Sequence, residues 1–124
     1  MYPYYKADIE KGMLTAEYAQ ELLNCMWVKF YEIIKLVDNP NLNDMAFGTG
    51  NNLSQNLVVG GTDKDGIDAT NEISYMCLTA DATVRFDQPS LSVRVHPESP
   101  TAFLEKIVEV IKLGGGKPAI FFDQ

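Results

Sequence analysis

The feature that most constrains the fold is a seven-residue segment whose side chains alternate between polar and apolar, with helical patterns on both sides of it. Residues 90–96 read Ser-Leu-Ser-Val-Arg-Val-His. Successive side chains of a strand point to opposite faces, so a strand here would separate the two classes. One face would carry Leu91, Val93 and Val95, and the other Ser90, Ser92, Arg94 and His96. The segment is therefore predicted to be a strand with one polar face.

A polar face is unexpected on a strand of this kind. Strands that are joined by crossover helices are parallel, and they are normally apolar on both faces. The conflict is resolved if the sheet curves into a barrel, with helices over its apolar face and a polar face that lines a lumen holding a substrate. We therefore predict an α/β fold with an internal cavity.

The first 38 residues are predicted to be a helical segment, and residues 39–54, which are rich in Asn and Gly, a long irregular loop. Thr15 is placed to cap a long helix, Glu17 lies in its first turn, and Pro40 ends it because proline cannot continue the helical hydrogen bonds. The apolar positions of this helix recur at helical spacing. They are Ala19, Leu22, Leu23, Met26, Phe30, Ile33, Ile34 and Val37.

Residues 55–124 are predicted to form a strand-helix-strand-helix-strand unit, with strands at 55–59, 90–96 and 119–122. Asp68 is expected to cap the first helix of this unit, Ser99 and Pro100 to begin the second, and Gly114 to end it. Each helix has an apolar stripe that is expected to be buried. The stripes are Ile73, Met76, Cys77, Ala80 and Val84 on the first helix, and Phe103, Leu104, Ile107, Val108 and Ile111 on the second.

Composition narrows the class of protein. Ten basic residues against seventeen acidic ones give a net charge of −7, and no Lys/Arg cluster with interleaved aromatic residues is present. The sequence therefore predicts binding neither to nucleic acid nor to an anionic membrane. The apolar runs are short and the first residues do not resemble a signal peptide, so we expect a cytoplasmic location. Cys25 and Cys77 both fall in predicted helices, which favours buried, reduced thiols.

Two local patterns resemble sites of metal binding or catalysis. Residues 61–72 match much of a calcium-loop template, but Gly61 stands at the first position, which needs a carboxylate, so no metal site is predicted. His96 lies at the carboxyl end of the polar-faced strand, where α/β enzymes place their sites. The alternative is a histidine that caps the turn before Pro97, and the sequence leaves both interpretations open. No pair of residues has the spacing of a nucleophile and its base.

Three longer sequence motifs, with the spacing between them, resemble one family. They are Gln-Asn-Leu-Val-Val-Gly-Gly at residues 55–61, Asp-Gly-Ile-Asp-Ala-Thr-Asn-Glu-Ile-Ser-Tyr at 65–75, and Gln-Pro-Ser-Leu-Ser-Val-Arg-Val-His at 88–96. These motifs are similar to those of the glycyl radical enzymes of the pyruvate formate-lyase superfamily. The branch they resemble contains glycerol and hydroxyproline dehydratases, choline lyase and arylacetate decarboxylases.

The resemblance implies a ten-stranded α/β barrel of several hundred residues, in which this chain would be an interior fragment joined to the remainder of the parent barrel. Such enzymes store a radical on a backbone glycine, pass it to a cysteine as a thiyl radical, and cleave a C–O, C–N or C–C bond of a small-molecule substrate. An activase that carries an iron-sulfur cluster and S-adenosylmethionine installs the radical. The resemblance also implies that the parent is a homodimer.

The radical residues of the family have no counterparts in this chain. The active cysteine of the family lies in a Gly-Cys-x-Glu motif, which the residues around Cys25 and Cys77 do not match. The family's Arg-Val-x-Gly motif, which carries the radical glycine, is absent from this chain. The chain alone is therefore predicted to have no catalytic residue, no bound cofactor and no activity. By resemblance, five residues would contribute to substrate binding: Tyr75, Asn56, Asn71, Ser90 and Ser92. The alternative is a non-catalytic α/β module that binds a partner.

Overall fold

The computed structural model describes residues 1–33 and 55–123, and within them it contains four helices and three strands. The helices are α1 (Tyr2–Glu10), α2 (Ala16–Glu32), α3 (Glu72–Val84) and α4 (Thr101–Lys112). The strands are β1 (Asn56–Gly60), β2 (Ser90–Val95) and β3 (Ala119–Phe122). The loop predicted for residues 39–54, and the inward positions predicted at Ile34 and Val37, lie outside the described residues.

The three strands form one parallel sheet in the order β1-β2-β3, with α3 and α4 as the crossover helices. This confirms the predicted α/β class and the strand-helix-strand-helix-strand unit. β1 is shifted by one residue from the predicted 55–59, and β2 ends one residue early, at Val95, whereas β3 has its predicted bounds. At the amino terminus, α1 and α2 are two separate helices.

The core lies on one face of the sheet. Leu91 and Val93 are fully buried there, and they belong to a cluster with buried residues from α2, α3 and α4. Trp27 from α2, Leu78 from α3 and Phe103 from α4 are the largest of these. The alternation predicted for β2 is therefore confirmed, because its leucine and valines are buried while its polar residues stay partly or largely accessible.

The start of α3 corrects the sequence prediction. Asn71, and not Asp68, caps this helix: its Oδ1 accepts the Ile73 N–H at 3.1 Å, and the Ser74 Oγ accepts the Asn71 N–H at 3.3 Å. This reciprocal arrangement is a capping box, which satisfies two backbone donors that the first turn leaves free. The Asp68 carboxylate is engaged elsewhere, as described below.

The start of α4 also differs from the prediction. Pro100 precedes the helix, but the Ser99 side chain makes no cap and instead accepts the His96 N–H at 3.0 Å. Gly114, with a positive φ, follows the end of the helix as expected.

The broad apolar stripe predicted for α4 divides into two adjacent stripes in the structure, of which only one is buried. Phe103, Ile107 and Val110 face the core, whereas Leu104 and Val108 are 40% and 49% exposed, and Ile111 is exposed as well. The two stripes lie on adjacent sides of the helix, and the 3.6-residue period cannot distinguish the side that meets the sheet. The expectation that Leu104, Val108 and Ile111 face inward was wrong for this part of the chain.

α2 shows a similar correction. Ala19 and Leu23 are buried as predicted, whereas Leu22 and Ile33 were expected to be inward but are exposed. Trp27, which the predicted stripe did not include, is fully buried. The Trp27 indole donates to the Asp81 carboxylate at 3.2 Å, and the Lys117 ammonium lies 2.7 Å from the same oxygen. A buried charged pair thus links α2, α3 and the segment before β3.

Candidate functional site

The face of the sheet opposite the core is the candidate site, and we call it the open face. Adjacent residues of parallel strands point to the same side, so the register places polar residues of different strands next to one another. Its rows are Asn56 beside Ser90, Val58 beside Ser92 and Ala119, and Gly60 beside Arg94 and Phe121. Val58 and Phe121 are more than half exposed, at 55% and 56%, so no described residue covers this face at these two points.

Three of the five predicted substrate-binding residues share the open face. Asn56 and Ser90 are register partners on β1 and β2, and Ser92 lies two residues further along β2 on the same side. Their carboxamide and hydroxyl groups provide both donors and acceptors, and they are anchored on strands and not on loops. The structure thus brings together a short polar patch that is able to hydrogen-bond a small hydroxylated molecule.

Asn71 lies apart from this patch, at the carboxyl end of β1. Besides accepting the Ile73 N–H, its side chain donates from Nδ2 to the Ala69 carbonyl at 2.8 Å, so its carboxamide is already engaged on both sides. It lines a cleft of about 320 Å³ that Tyr2 and Val58 also line. We therefore interpret Asn71 as a residue that holds the cleft wall in place.

The α1 helix closes one side of this cleft. The Glu72 carboxylate lies beside the Tyr2 hydroxyl and raises the pKa of Tyr2 above its ordinary value, because it favours the protonated phenol. Met1 and Pro3 line the same cleft. The N-terminal end of α1 is therefore positioned beside the beginning of α3.

Tyr75 lies one turn further along α3, in the helical layer and not on the open face. Its ring packs edge to face on the buried Phe103 ring, with centroids 5.6 Å apart and planes at 74°. Such aromatic pairs stabilise a core beyond their buried area. The described structure therefore separates Tyr75 from Asn56, Ser90 and Ser92.

Two glycines bring the loop after β1 across the end of β2. Gly60 and Gly61 have φ angles of +78° and +81°, which favour glycine. A Cβ on Gly60 would lie 2.6 Å from the Arg94 carbonyl oxygen and 2.9 Å from the Phe103 ring, so a side chain does not fit there. The Gly61 N–H donates to the same carbonyl at 2.8 Å. The backbone therefore passes directly over the carboxyl end of the central strand.

Arg94 extends from the open face to the end of β3. Its Nε donates to the Asp123 Oδ1 at 2.9 Å, and its Nη2 lies 2.9 Å from the same oxygen. The second Asp123 oxygen is buried and has no hydrogen-bond partner within residues 1–33 and 55–123, and a Cβ on Gly61 would be 3.1 Å from it. The pair holds the guanidinium in one orientation while about half of the Arg94 side chain stays exposed.

His96 is buried and bound on both ring nitrogens. Its side chain is 6% exposed, its Nε2 lies 3.0 Å from the Asp68 Oδ1, and its Nδ1 accepts the Glu98 N–H at 3.3 Å. Because Nδ1 acts as the acceptor, the proton of the neutral ring is on Nε2, which donates to Asp68. The histidine therefore caps the turn at Pro97, as one of the two sequence interpretations had it. It also connects the end of β2 to the loop after β1, which neither interpretation included.

The two cysteines differ from each other in this structure. Burial raises the pKa of the Cys77 thiol from 9.0 to about 11, so this thiol is protonated at neutral pH. Cys25 is exposed on α2, which corrects the expectation that both thiols are buried. Over the part of the chain that the structure describes, no three His, Cys, Asp or Glu side chains are grouped as a metal ion would require. Nor does any described helix have the length and apolar character to cross a membrane.

Comparisons with known proteins indicate one family. The family model described as "Pyruvate formate lyase-like" matches residues 1–124. The isethionate sulfite-lyase of Oleidesulfovibrio alaskensis is 36% identical over 123 residues, which are 99% of this chain and 15% of that enzyme.

Two solved structures superpose closely on the chain. One concerns 1,2-propanediol dehydration in Roseburia inulinivorans, with a TM-score of 0.86 and 44% identity over 98% of this chain and 15% of that one. The other is a glycyl radical enzyme from Archaeoglobus fulgidus, with a TM-score of 0.83 and 35% identity over the same shares. The chain thus spans about 15% of the length of the relatives it matches.

Proposed function

The chain belongs to the pyruvate formate lyase-like family, and we propose that it forms part of the substrate-cavity wall of a glycyl radical lyase or dehydratase. Its relatives include lyases and dehydratases that are glycyl radical enzymes, so the family identified from the three sequence motifs is confirmed. The reaction that we propose for the whole enzyme is cleavage of a C–O, C–N or C–C bond of a small substrate by a thiyl radical.

One observation carries this proposal: the central strand has an apolar face under helices and a polar face that carries hydroxyl groups in register with Asn56. A polar face on a crossover-linked parallel strand has a physical reason when it lines a cavity that contains a polar ligand. Ser90, Ser92 and Asn56 would then hydrogen-bond the hydroxyl, amine or acid groups of the substrate. Asn71 and Tyr75 would support the neighbouring wall.

The radical chemistry itself would come from parts of the enzyme that this chain does not include. The chain has neither a Gly-Cys-x-Glu motif nor an Arg-Val-x-Gly motif. Its own contribution would therefore be to bind and orient the substrate. The partners we propose are the remainder of the barrel, a second copy of the enzyme as a homodimer, and an activase that uses S-adenosylmethionine and an iron-sulfur cluster.

The proposal is tested in the full-length enzyme that contains this segment, activated under anaerobic conditions. The substrate panel consists of isethionate, propane-1,2-diol, glycerol and trans-4-hydroxy-L-proline, which the names of the relatives suggest. We expect Ser90→Ala or Ser92→Ala to lower kcat/KM by about 2- to 10-fold, as expected for the loss of one neutral hydrogen bond. The glycyl radical signal should be unchanged.

Thr101→Ala is the matched control, because Thr101 is an exposed residue of α4 far from the open face. This variant should keep the kcat/KM of the unmodified enzyme. If the serine variants and the control were equally active on the panel substrate that turns over, the open face would not bind substrate. The non-catalytic binding module would then be the better interpretation of this segment.

A further inference from the structure

The loop between β1 and α3, residues 61–71, has a tip and a base that are held in different ways. Asp63 closes the exposed tip on itself, because its Oδ1 accepts the N–H groups of Asp65 and Ile67. The base is joined by a bridge between Thr62 and Asp68 and by the Ala69 N–H, which donates to the Gly61 carbonyl at 2.9 Å. The tip contacts therefore cannot set where the base lies relative to the sheet.

The first residue of the loop is held on the central strand by a backbone bond, in which the Gly61 N–H donates to the Arg94 carbonyl at 2.8 Å. At the other end of the base, one side-chain pair among the described residues joins the loop to the segment that follows β2, Asp68 with His96. The Asp68 Oδ1 accepts from the His96 Nε2 at 3.0 Å and from the Thr70 hydroxyl at 2.9 Å. Asn71, which caps α3 and lines the cleft, follows directly. Ala69, the residue after Asp68, lines the cleft as well, so the position of the pair reaches the cleft wall through Ala69 and Thr70.

We propose that His96 and Asp68 are positioning residues, which hold the loop after β1 so that the cleft wall beside the open face has its substrate-binding geometry. This inference rests on the proposed function, because it assigns the pair to the site of that reaction. The pair acts as a hydrogen-bonded tether between a neutral imidazole and a carboxylate. It touches no reacting atom, and it acts through Asn71 and the backbone of the loop.

The geometry at His96 specifies which substitutions should be tolerated. The Glu98 N–H occupies Nδ1, so the tether needs a donor at the position of Nε2 and an acceptor at the Asp68 Oδ1. His96→Gln places an amide N–H near the Nε2 position, and Asp68→Asn keeps a carbonyl oxygen at Oδ1. His96→Leu and Asp68→Ala remove the donor and the acceptor, respectively.

The test compares these four variants in the activated full-length enzyme, with two readouts. One is kcat and KM on the panel substrate that turns over, and the other is amide hydrogen exchange at Ala69. We expect His96→Leu and Asp68→Ala to lower kcat/KM by roughly 10- to 100-fold, since small displacements of a binding wall have effects of this size. Exchange at Ala69 should be at least about 10-fold faster, because local opening becomes easier.

His96→Gln and Asp68→Asn should keep both kcat/KM and the exchange rate at Ala69 within about 3-fold of the unmodified enzyme. A general loss of stability would not produce this difference between the conservative and the disruptive variants. Val110→Ala, in the core under α4, serves as the destabilised control and should leave Ala69 exchange and KM unchanged. Unchanged exchange at Ala69 in both His96→Leu and Asp68→Ala would overturn the inference.

Equal losses in His96→Gln and His96→Leu would overturn it as well, since the imidazole itself would then be needed. If His96→Leu does not fold, Asp68→Ala decides by the same criteria. If the unmodified enzyme turned over no panel substrate, the proposed function would be in question, while the exchange readout would still decide on the tether.

Discussion

Gly60→Ala is the substitution whose effect follows most directly from the structure. Two costs add at this position. The φ angle of +78° is left-handed, which costs a residue with a Cβ roughly 1–2 kcal/mol. The new Cβ would also lie 2.6 Å from the Arg94 carbonyl oxygen and 2.9 Å from the Phe103 ring. Forcing those neighbours apart costs about 1–3 kcal/mol more, as overpacking of a core does.

Gly66→Ala separates the two costs. Gly66 has the same φ of +78°, but a Cβ there would meet no atom within 4 Å. It should therefore lose only the roughly 1–2 kcal/mol of backbone strain, and the difference between the two variants measures the steric cost alone. We expect Gly60→Ala to be less stable than Gly66→Ala by about 1–3 kcal/mol.

The assay is urea unfolding of the chain, followed by circular dichroism at a concentration where sedimentation shows a monomer. The midpoints are compared at equal m-values, so that a change of midpoint reports a change of stability. Equal losses in the two variants would refute the argument, because they would show that the loop does not pass closely over the end of β2.

Three further predictions concern the core, the cysteine and the radical. In the full-length enzyme, Val93→Asp should abolish soluble expression, because it puts an unpaired carboxylate at a fully buried position. Ser92→Ala should express normally, and equal yields of the two variants would contradict the assignment of the two faces of β2. The unfolding free energy should fall between about pH 9 and 11, because the unfolded Cys77 thiol loses its proton near 9.0 while the folded one keeps it to about 11. Urea titrations across that range should show a smaller decline in Cys77→Ala, and an identical decline would argue against a buried thiol. The 124-residue chain, incubated anaerobically with an activase and S-adenosylmethionine, should give no glycyl doublet in its electron paramagnetic resonance spectrum; a doublet from this chain would show that it carries a radical glycine after all.

The polar patch of the open face could be predicted from the sequence, because it depends on a local period. The two-residue alternation of β2 separates Ser90 and Ser92 from Val93 whatever packs around them, and a slip of one residue would bury Arg94. The order of strands and helices was predictable for the same reason. The family was predictable because three sequence motifs, at residues 55–61, 65–75 and 88–96, keep their spacing.

The relation of Tyr75 and Asn71 to that patch was not predictable in the same way. The resemblance grouped them with Asn56 and the two serines, but the structure places Tyr75 against Phe103 in the helical layer and Asn71 in the cap of α3. The Asn-x-x-Ser spacing at residues 71–74 was the available signal for the capping box. Asp68, three residues earlier, is also a residue type that caps helices, and it was predicted as the cap in place of Asn71.

The sequence by itself determined which segments are strands and helices, and which face of β2 is polar. These properties follow from side-chain periods and backbone preferences that act over a few residues. Only the tertiary structure decided which apolar stripe of α4 is buried, and which distant groups pair. Lys117 meets Asp81, and His96 meets Asp68. Such pairs join residues 28 or 36 positions apart, and their geometry exists only when the crossover helices have packed on the sheet.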